Sequence, residues 1–266
     1  MNFRDLSCFL LAVSVTTDST RAEIVVETAA VAETTAAQSP PISPAMRAAV
    51  EKLSLPGVKI NLDQWCVDVA SRVCLGEGLL ELIACTEDTK EHESLIMVEA
   101  KPSHIHTALL LLGAKSGSPA SQQAINPEMT RFRHNPPSGD PVEVFLVFKD
   151  PTGAETERPI SDFIERAEGH DTHGDEAGPE EVAEKFPAHT LLFAGSVIVA
   201  EGDGPHRYLS DSSGSVISLA TFGDELLCLP GFHESSNEAL AWQIATAHLP
   251  KLGSKLILRL RPQASP

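Results

Sequence analysis

The sequence predicts an α+β fold dominated by β-structure: one β-rich domain of antiparallel hairpins with a single buried helix packed on the sheet, preceded by a signal peptide and a flexible linker. Three observations predict it. Short runs alternate with a period of two, as in "WCVDVASRVCL", where Trp65, Val67, Val69, Val73 and Leu75 share one face of an extended chain. Turn residues punctuate such runs, "GEG" at 76–78 and "DPTG" at 150–153. One strongly apolar segment, "SHIHTALLLLG", is spaced as a helix instead. The 266 residues suit one large domain or two small ones, and no internal repeat or second linker divides them. Hydrophobic residues make up 42% and aromatics 5%, so aliphatic side chains must fill most of the core.

The elements follow in order. Arg4 opens a short basic region, Leu6 to Val15 form an apolar stretch of signal-peptide length, and Thr20 and Ala22 suit a cleavage site, so residues 1–22 read as a signal peptide and the protein as exported. The stretch is too short to span a membrane, which takes about 20 apolar residues. Residues 23–57, rich in Ala, Thr and Pro, read as a linker that cannot bury enough apolar surface to order itself, with a short helix at 46–53. The domain occupies 58–262. Its strand at 65–75 turns through "GEG" into "LLELIAC" as a hairpin, and "ESLIMVEA" follows as a third strand. In that hairpin Cys85 falls opposite Val69 and away from Cys74.

Ser103 is placed to cap the helix and Gly113 to stop it, while Ile105, Ala108, Leu109 and Leu112 form a stripe that Leu110 and Leu111 extend nearly all round. Residues 114–141 read as a long loop of the lid or binding type. "VEVFLVFKD" and "ETERPI" flank the "DPTG" turn as a second hairpin, and Ser161 caps a short helix "DFIERAE". Residues 168–184 are acidic and Gly-rich; His170, Asp171, His173 and Asp175 would be oxygen and nitrogen ligands there, but an acidic, Gly-flanked insertion reads more simply as solvated chain. The remainder reads mostly as strand: "HTLLFAGSVIVA", "RYLSD", "SVISLATF", "LAWQIAT" and "KLILRLR".

A formal charge of −17 repels phosphate backbones, and the one compact basic run, "RFRH" at 131–134, is too small to offset it. Nucleic acid and anionic membrane surfaces are therefore excluded as partners, and no transmembrane segment is expected.

Several phrases come together in a resemblance. "CTEDTKEHES", "HIHTALLLLGAKSGSP", "LLFAGSVIVA…RYLSDSSGSVISLATF" and "LAWQIATAHLPKLGSKLILRL" are similar to the bacterial YdjY domain, over about Val58 to Pro262. The family pattern falls here on Cys85, His92, Glu93, Ser94, His106, Gly113, Gly195 and Ser196. Thr221 stands where the family would have Asn, and the 168–184 insertion departs from it too. The resemblance brings no established activity. Through relatives linked to iron–sulfur or ferredoxin-type proteins, it implies an association with redox or metal chemistry and a protein partner of redox type.

The candidate functional cluster is Cys85, His92, Glu93 and His106. "C-x6-H" alone is a sparse metal signature, since zinc takes about four ligands, but Cys85, His92 and His106 with a water would make a site. Alternatively, His92 would activate a Cys85 thiolate with Glu93 orienting the imidazole, although Glu93 points to the opposite side of an emerging strand. The plainer reading is a loop joining two strands, with Cys85 ending one in the core. Removing Cys8 with the signal leaves Cys66, Cys74, Cys85 and Cys228, from which no more than one disulfide is expected. The function that follows is an exported, non-catalytic domain binding a small ligand or a partner, accessory to a redox system. The alternative is a metal- or thiol-dependent enzyme centred on Cys85, His92 and His106.

Overall fold

A computed structural model describes residues 44–126, 128, 131–167, 185–187, 191–200, 204–236 and 239–263, all within one compact unit, Pro40–Pro266. The signal peptide, most of the linker and the 168–184 insertion lie outside the described residues. The linker's short helix is α1, Pro44–Lys52, and the domain opens with a strand at Val58–Asn61, where the sequence places them.

Eight strands close into a barrel among the described residues: β1 (Cys66–Val73), β2 (Leu82–Thr86), β3 (Ser94–Val98), β4 (Pro141–Lys149), β5 (Leu191–Leu192), β6 (Ser215–Ser218), β7 (Leu227–Cys228) and β8 (Lys255–Pro262). The order around the ring is β1-β8-β4-β5-β7-β6-β2-β3, and β3 returns to β1. β-Rich structure is as the sequence predicts; closure is not. Strand β1 makes closure possible by dividing one edge. Residues 66–69 pair with Val58–Asn61, and 71–73 pair with β3. Eight strands enclose an interior that side chains just fill. One apolar cluster takes in Val67 and Val69 of β1, Val142, Val144 and Leu146 of β4, and Leu258 and Leu260 of β8, all 1% exposed or less.

The hairpin expected over 65–85 does not form. The chain after "GEG" pairs elsewhere: Leu79 bridges Gln243, the Leu80 amide donates to the Trp242 carbonyl, and the Ile244 amide to that of Gly78. Strand β3 therefore lies between β1 and β2. It runs parallel to β2, so residues 87–93 must travel back along β2 before β3 begins. The unit recurs: β6 and β7 are also parallel, joined by 219–226, and β6 lies antiparallel beside β2.

Helix α2, Pro102–Leu111, buries Ile105, Ala108, Leu109 and Leu112 as the stripe predicts, but Leu110 and Leu111 are exposed. Lys101, not Ser103, is the N-cap. The capping acceptor comes from Asp211, whose carboxylate receives the Ser103 amide (2.8 Å) and hydroxyl (2.7 Å). At the other end Gly113, at φ +86°, donates to the Leu110 carbonyl and Ala114 donates to that of Leu109, a Schellman closure.

Residues 114–141 are not an irregular loop. Ser116–Ser118 pairs with Ser138–Gly139, and Ser121–Ala124 pairs with Phe132–Asn135, forming an exposed two-stranded arm. The second hairpin is present, with Glu155–Pro159 antiparallel to β4. The helix expected after Ser161 is instead a 3-10 turn, Ile160–Phe163, followed by a strand Ile164–Arg166 against Trp242–Ile244. "RYLSD" is strand only at Arg207–Tyr208; Leu209–Ser213 is a short helix, α3.

Candidate functional site

The loop 87–93 is the geometric centre of the site. Ala84 and Ile96 of β2 and β3 lie in the main core, whereas Cys85 sits beside Met97, its register partner, in a second, smaller cluster. Cys85, Met97 and Leu82 are buried there, with Cys74 and Phe222 packed against them, half-buried. Residues 87–93 come back along β2, and this brings the Lys90 backbone and the Ser94 side chain beside the Cys85 thiol, where both favour its ionised form. The second crossover, 219–226, sends Phe222 to meet it: the Lys90 ammonium lies 3.4 Å from the Phe222 ring centre and donates to the Ser215 hydroxyl at 3.1 Å. Two crossover loops thus close over one sulfur-rich cluster.

Cys74, the residue after β1, reaches the same place. Its amide donates to the Leu95 carbonyl, and its thiol to the Ser94 carbonyl at 3.1 Å. The Cys74 and Cys85 thiols pack in one cluster as close neighbours, which overturns their expected separation; in a closed barrel, β3 carries the end of β1 to β2. The neighbouring Cys74 thiol draws Cys85 below the ordinary thiol range and outweighs burial, while the same pairing, with burial, pushes Cys74 up. All four described cysteines are free thiols; Cys66 lies beside Asp68 and Cys228 near Glu225, away from this pair.

The other predicted residues disperse. His92 sits on the 3-10 turn Glu91–Glu93 with 78% of its side chain in solvent, 3.6 Å from the Glu93 carboxylate. Glu93 faces Glu81, whose carboxyl is raised first by burial and then by Glu93. His106 lies on α2 in a different setting. Its Nδ1 is 2.8 Å from the Tyr208 hydroxyl, which itself donates to the Gly195 carbonyl at 2.9 Å. With the hydroxyl proton directed to the Gly195 carbonyl, the Tyr208 oxygen is left to accept from Nδ1. Burial holds the His106 pKa below the ordinary imidazole value, against a hydrogen bond to the Gly195 backbone that raises it. Phe193 meets it edge-on at 4.8 Å, and Gly195, at φ +82°, has no room for a side chain: a Cβ would lie 2.7 Å from that of Ser116 and 3.1 Å from His106 Cε1.

Among the described residues no three or more His, Cys, Asp or Glu side chains are grouped to hold a metal ion. Cys85, His92 and His106 do not meet, and His170, Asp171, His173 and Asp175 lie outside the described residues. Of the family positions, Ser196 fixes two loops, its hydroxyl donating to the Asp224 carbonyl at 2.6 Å and accepting the Ser210 amide at 3.1 Å. Thr221 performs a similar task, exchanging amide–carbonyl and amide–hydroxyl bonds with His233.

Sequence reasoning set Cys74 apart from Cys85 and missed Met97, Lys90, Phe222 and Tyr208. Tyr208 carried a usable signal as the chain's one tyrosine within a family-like phrase. The others carried none, since only barrel closure assembles them. No helix among the described residues is long and apolar enough to cross a membrane. No curated protein and no solved structure matches this chain significantly. The YdjY domain family matches residues 58–261, the same span that holds the barrel, the paired thiols and the His106–Tyr208 contact, and the chain belongs to that family.

Proposed function

We propose that this is an exported binding domain, accessory to a redox system, that exchanges two electrons with a partner protein through Cys74 and Cys85. The observation that carries the reading is the thiol pair itself: Cys85 of β2 and Cys74 just after β1 packed in one cluster, one buried and one half-exposed. Cys74, the half-exposed thiol, passes its proton to the neighbouring Cys85 thiolate and attacks a partner disulfide, and the first partner sulfur leaves and takes that proton back from Cys85. Cys85 then attacks the Cys74 sulfur, forming the internal disulfide and releasing the second partner thiol. Two thiols of this domain are oxidised and one partner disulfide is reduced.

The test is equilibration of the full chain in glutathione redox buffers, followed by alkylation and mass mapping. One internal Cys74–Cys85 disulfide should form, and Cys74→Ala should abolish it while Cys66 and Cys228 stay alkylatable. If Cys74 and Cys85 both remain alkylatable under oxidising buffer, the reading fails. Export is checked separately: protein recovered from the native cell envelope should begin near Glu23, and an intact Met1 there would refute it.

A further inference from the structure

The cluster around the thiol pair holds a third sulfur. Met97 is the register partner of Cys85 across β2 and β3, is 2% exposed, and belongs to the same small cluster as both cysteines. We infer that Cys74, Cys85 and Met97 form a binding site for a soft, low-coordinate cation, of which Cu(I) is the physiological case. This goes beyond the redox reading and uses the same thiols.

The donor set decides the metal class. Zinc needs about four ligands and an iron–sulfur cluster about four thiolates. This cluster offers two thiols and a thioether, and among the described residues no group of three His, Cys, Asp or Glu side chains adds to them. Cys66 and Cys228 sit in other parts of the barrel beside carboxylates. Two or three soft sulfurs without hard donors suit Cu(I), which prefers thiolate and thioether. Met97 suits the third position because its unbranched side chain can turn its sulfur toward the pair without moving the strand.

The surroundings fit the chemistry of binding. Cu(I) displaces one proton from each thiol, and the bis-thiolate centre then carries one net negative charge. Lys90 lies on the Phe222 ring that packs against the cluster, so a cation stands one ring away. The Cys74 thiol donates to the buried Ser94 carbonyl at 3.1 Å, and that proton is the one Cu(I) would displace. Half-exposed Cys74 gives the metal its way in, and the buried Cys85 and Met97 hold it out of water.

The experiment is anaerobic titration of the reduced full chain with Cu(I) against a chromophoric Cu(I) chelator, with Zn(II) as a parallel arm. One equivalent of Cu(I) should be withdrawn from the chelator, and Zn(II) should not bind in stoichiometric amount. Cys74→Ser should abolish competition, and Met97→Leu should weaken binding by about ten-fold, the loss of one weak ligand. Far-UV circular dichroism of each variant, together with a Cys66→Ala control that keeps full affinity, guards against misfolding. Absence of competition by the wild-type chain overturns the inference, as does a Cys74→Ser or Met97→Leu variant with wild-type affinity. Met97→Leu leaves disulfide formation intact, so a chain that forms the disulfide but takes no Cu(I) refutes this site alone. One that takes Cu(I) and forms no disulfide refutes the redox reading alone.

Discussion

Single residues in this domain are governed by what covers them. Cys85 is fully buried beside Cys74, Ser94 and the Lys90 backbone, so Cys85→Ser should lower stability by about 1–3 kcal/mol in chemical denaturation, the cost of an imperfectly partnered hydroxyl in an apolar cluster. His92→Gln, at an exposed turn, should leave the midpoint within about 0.5 kcal/mol. Sequence gave reason to single out Cys85 but none to separate it from His92, because a seven-residue spacing says nothing about which side of a loop faces water. Glu225 offers a pH test. It is 1% exposed, one carboxylate oxygen has no partner, and burial raises its pKa. A carboxyl raised on folding binds its proton more tightly in the native state, so its contribution is full below the ordinary carboxylate range and is lost as pH rises through the raised value. Glu225→Gln removes that titration. The stability difference between variant and wild type should therefore shift in the variant's favour as pH rises from the carboxylate range toward neutrality. A flat difference across that range in thermal melts would refute it.

At the scale of elements, local pattern and distant supply divide the work. The buried stripe of α2 was legible because helical spacing is a property of neighbouring residues. Its N-terminal cap was not, because the acceptor belongs to Asp211 on α3, 108 positions away. Asp211→Ala should cost about 1 kcal/mol, read from the denaturation midpoint, whereas Ser103→Ala, which leaves the amide-to-carboxylate bond in place, should cost less. On the sheet, the alternation that buries Val67 and Val69 also sends Asp68 outward. It meets Arg259 of β8 in a two-pronged pair at 2.6 and 2.8 Å, with Glu157 taking the remaining guanidinium nitrogen at 2.5 Å. Arg259 is 9% exposed, so the fork is shielded and its geometry matters. Arg259→Lys keeps the charge but cannot hold both carboxylates, and should destabilise by about 1–3 kcal/mol. The partnership was invisible in the sequence because it needs the register of three strands at once.

The whole molecule is a barrel closed by strands that are far apart in sequence, and this is why its class was legible while its topology was not. Period-two runs announce strands but not their partners, and the two parallel pairs are joined by segments of seven and eight residues, where a parallel connection ordinarily takes a dozen or more. Such short crossovers have to hug the strand they return along, and that constraint presses Lys90 and Phe222 together over the sulfur cluster. Closure also grades the molecule's stability. Strand β8 is paired along both edges, to β1 and β4, and buries Leu256, Leu258 and Leu260. The arm of Ser121–Ala124 and Phe132–Asn135 has four-residue strands paired to each other and almost wholly exposed side chains. An isolated hairpin is marginal in water, and beyond its own pairing this arm has the edge-on contact of His134 with Phe232 at 4.4 Å, so it should open without disturbing the barrel. In native-state hydrogen exchange, the amides paired between β8 and its neighbours should exchange by global unfolding, at about 5–15 kcal/mol for a domain of this kind. Those of the arm should exchange through local opening at a small fraction of that free energy, with little dependence on denaturant. Equal protection in arm and barrel would show that the arm is an integral layer of the fold and that barrel closure does not set the order of stability.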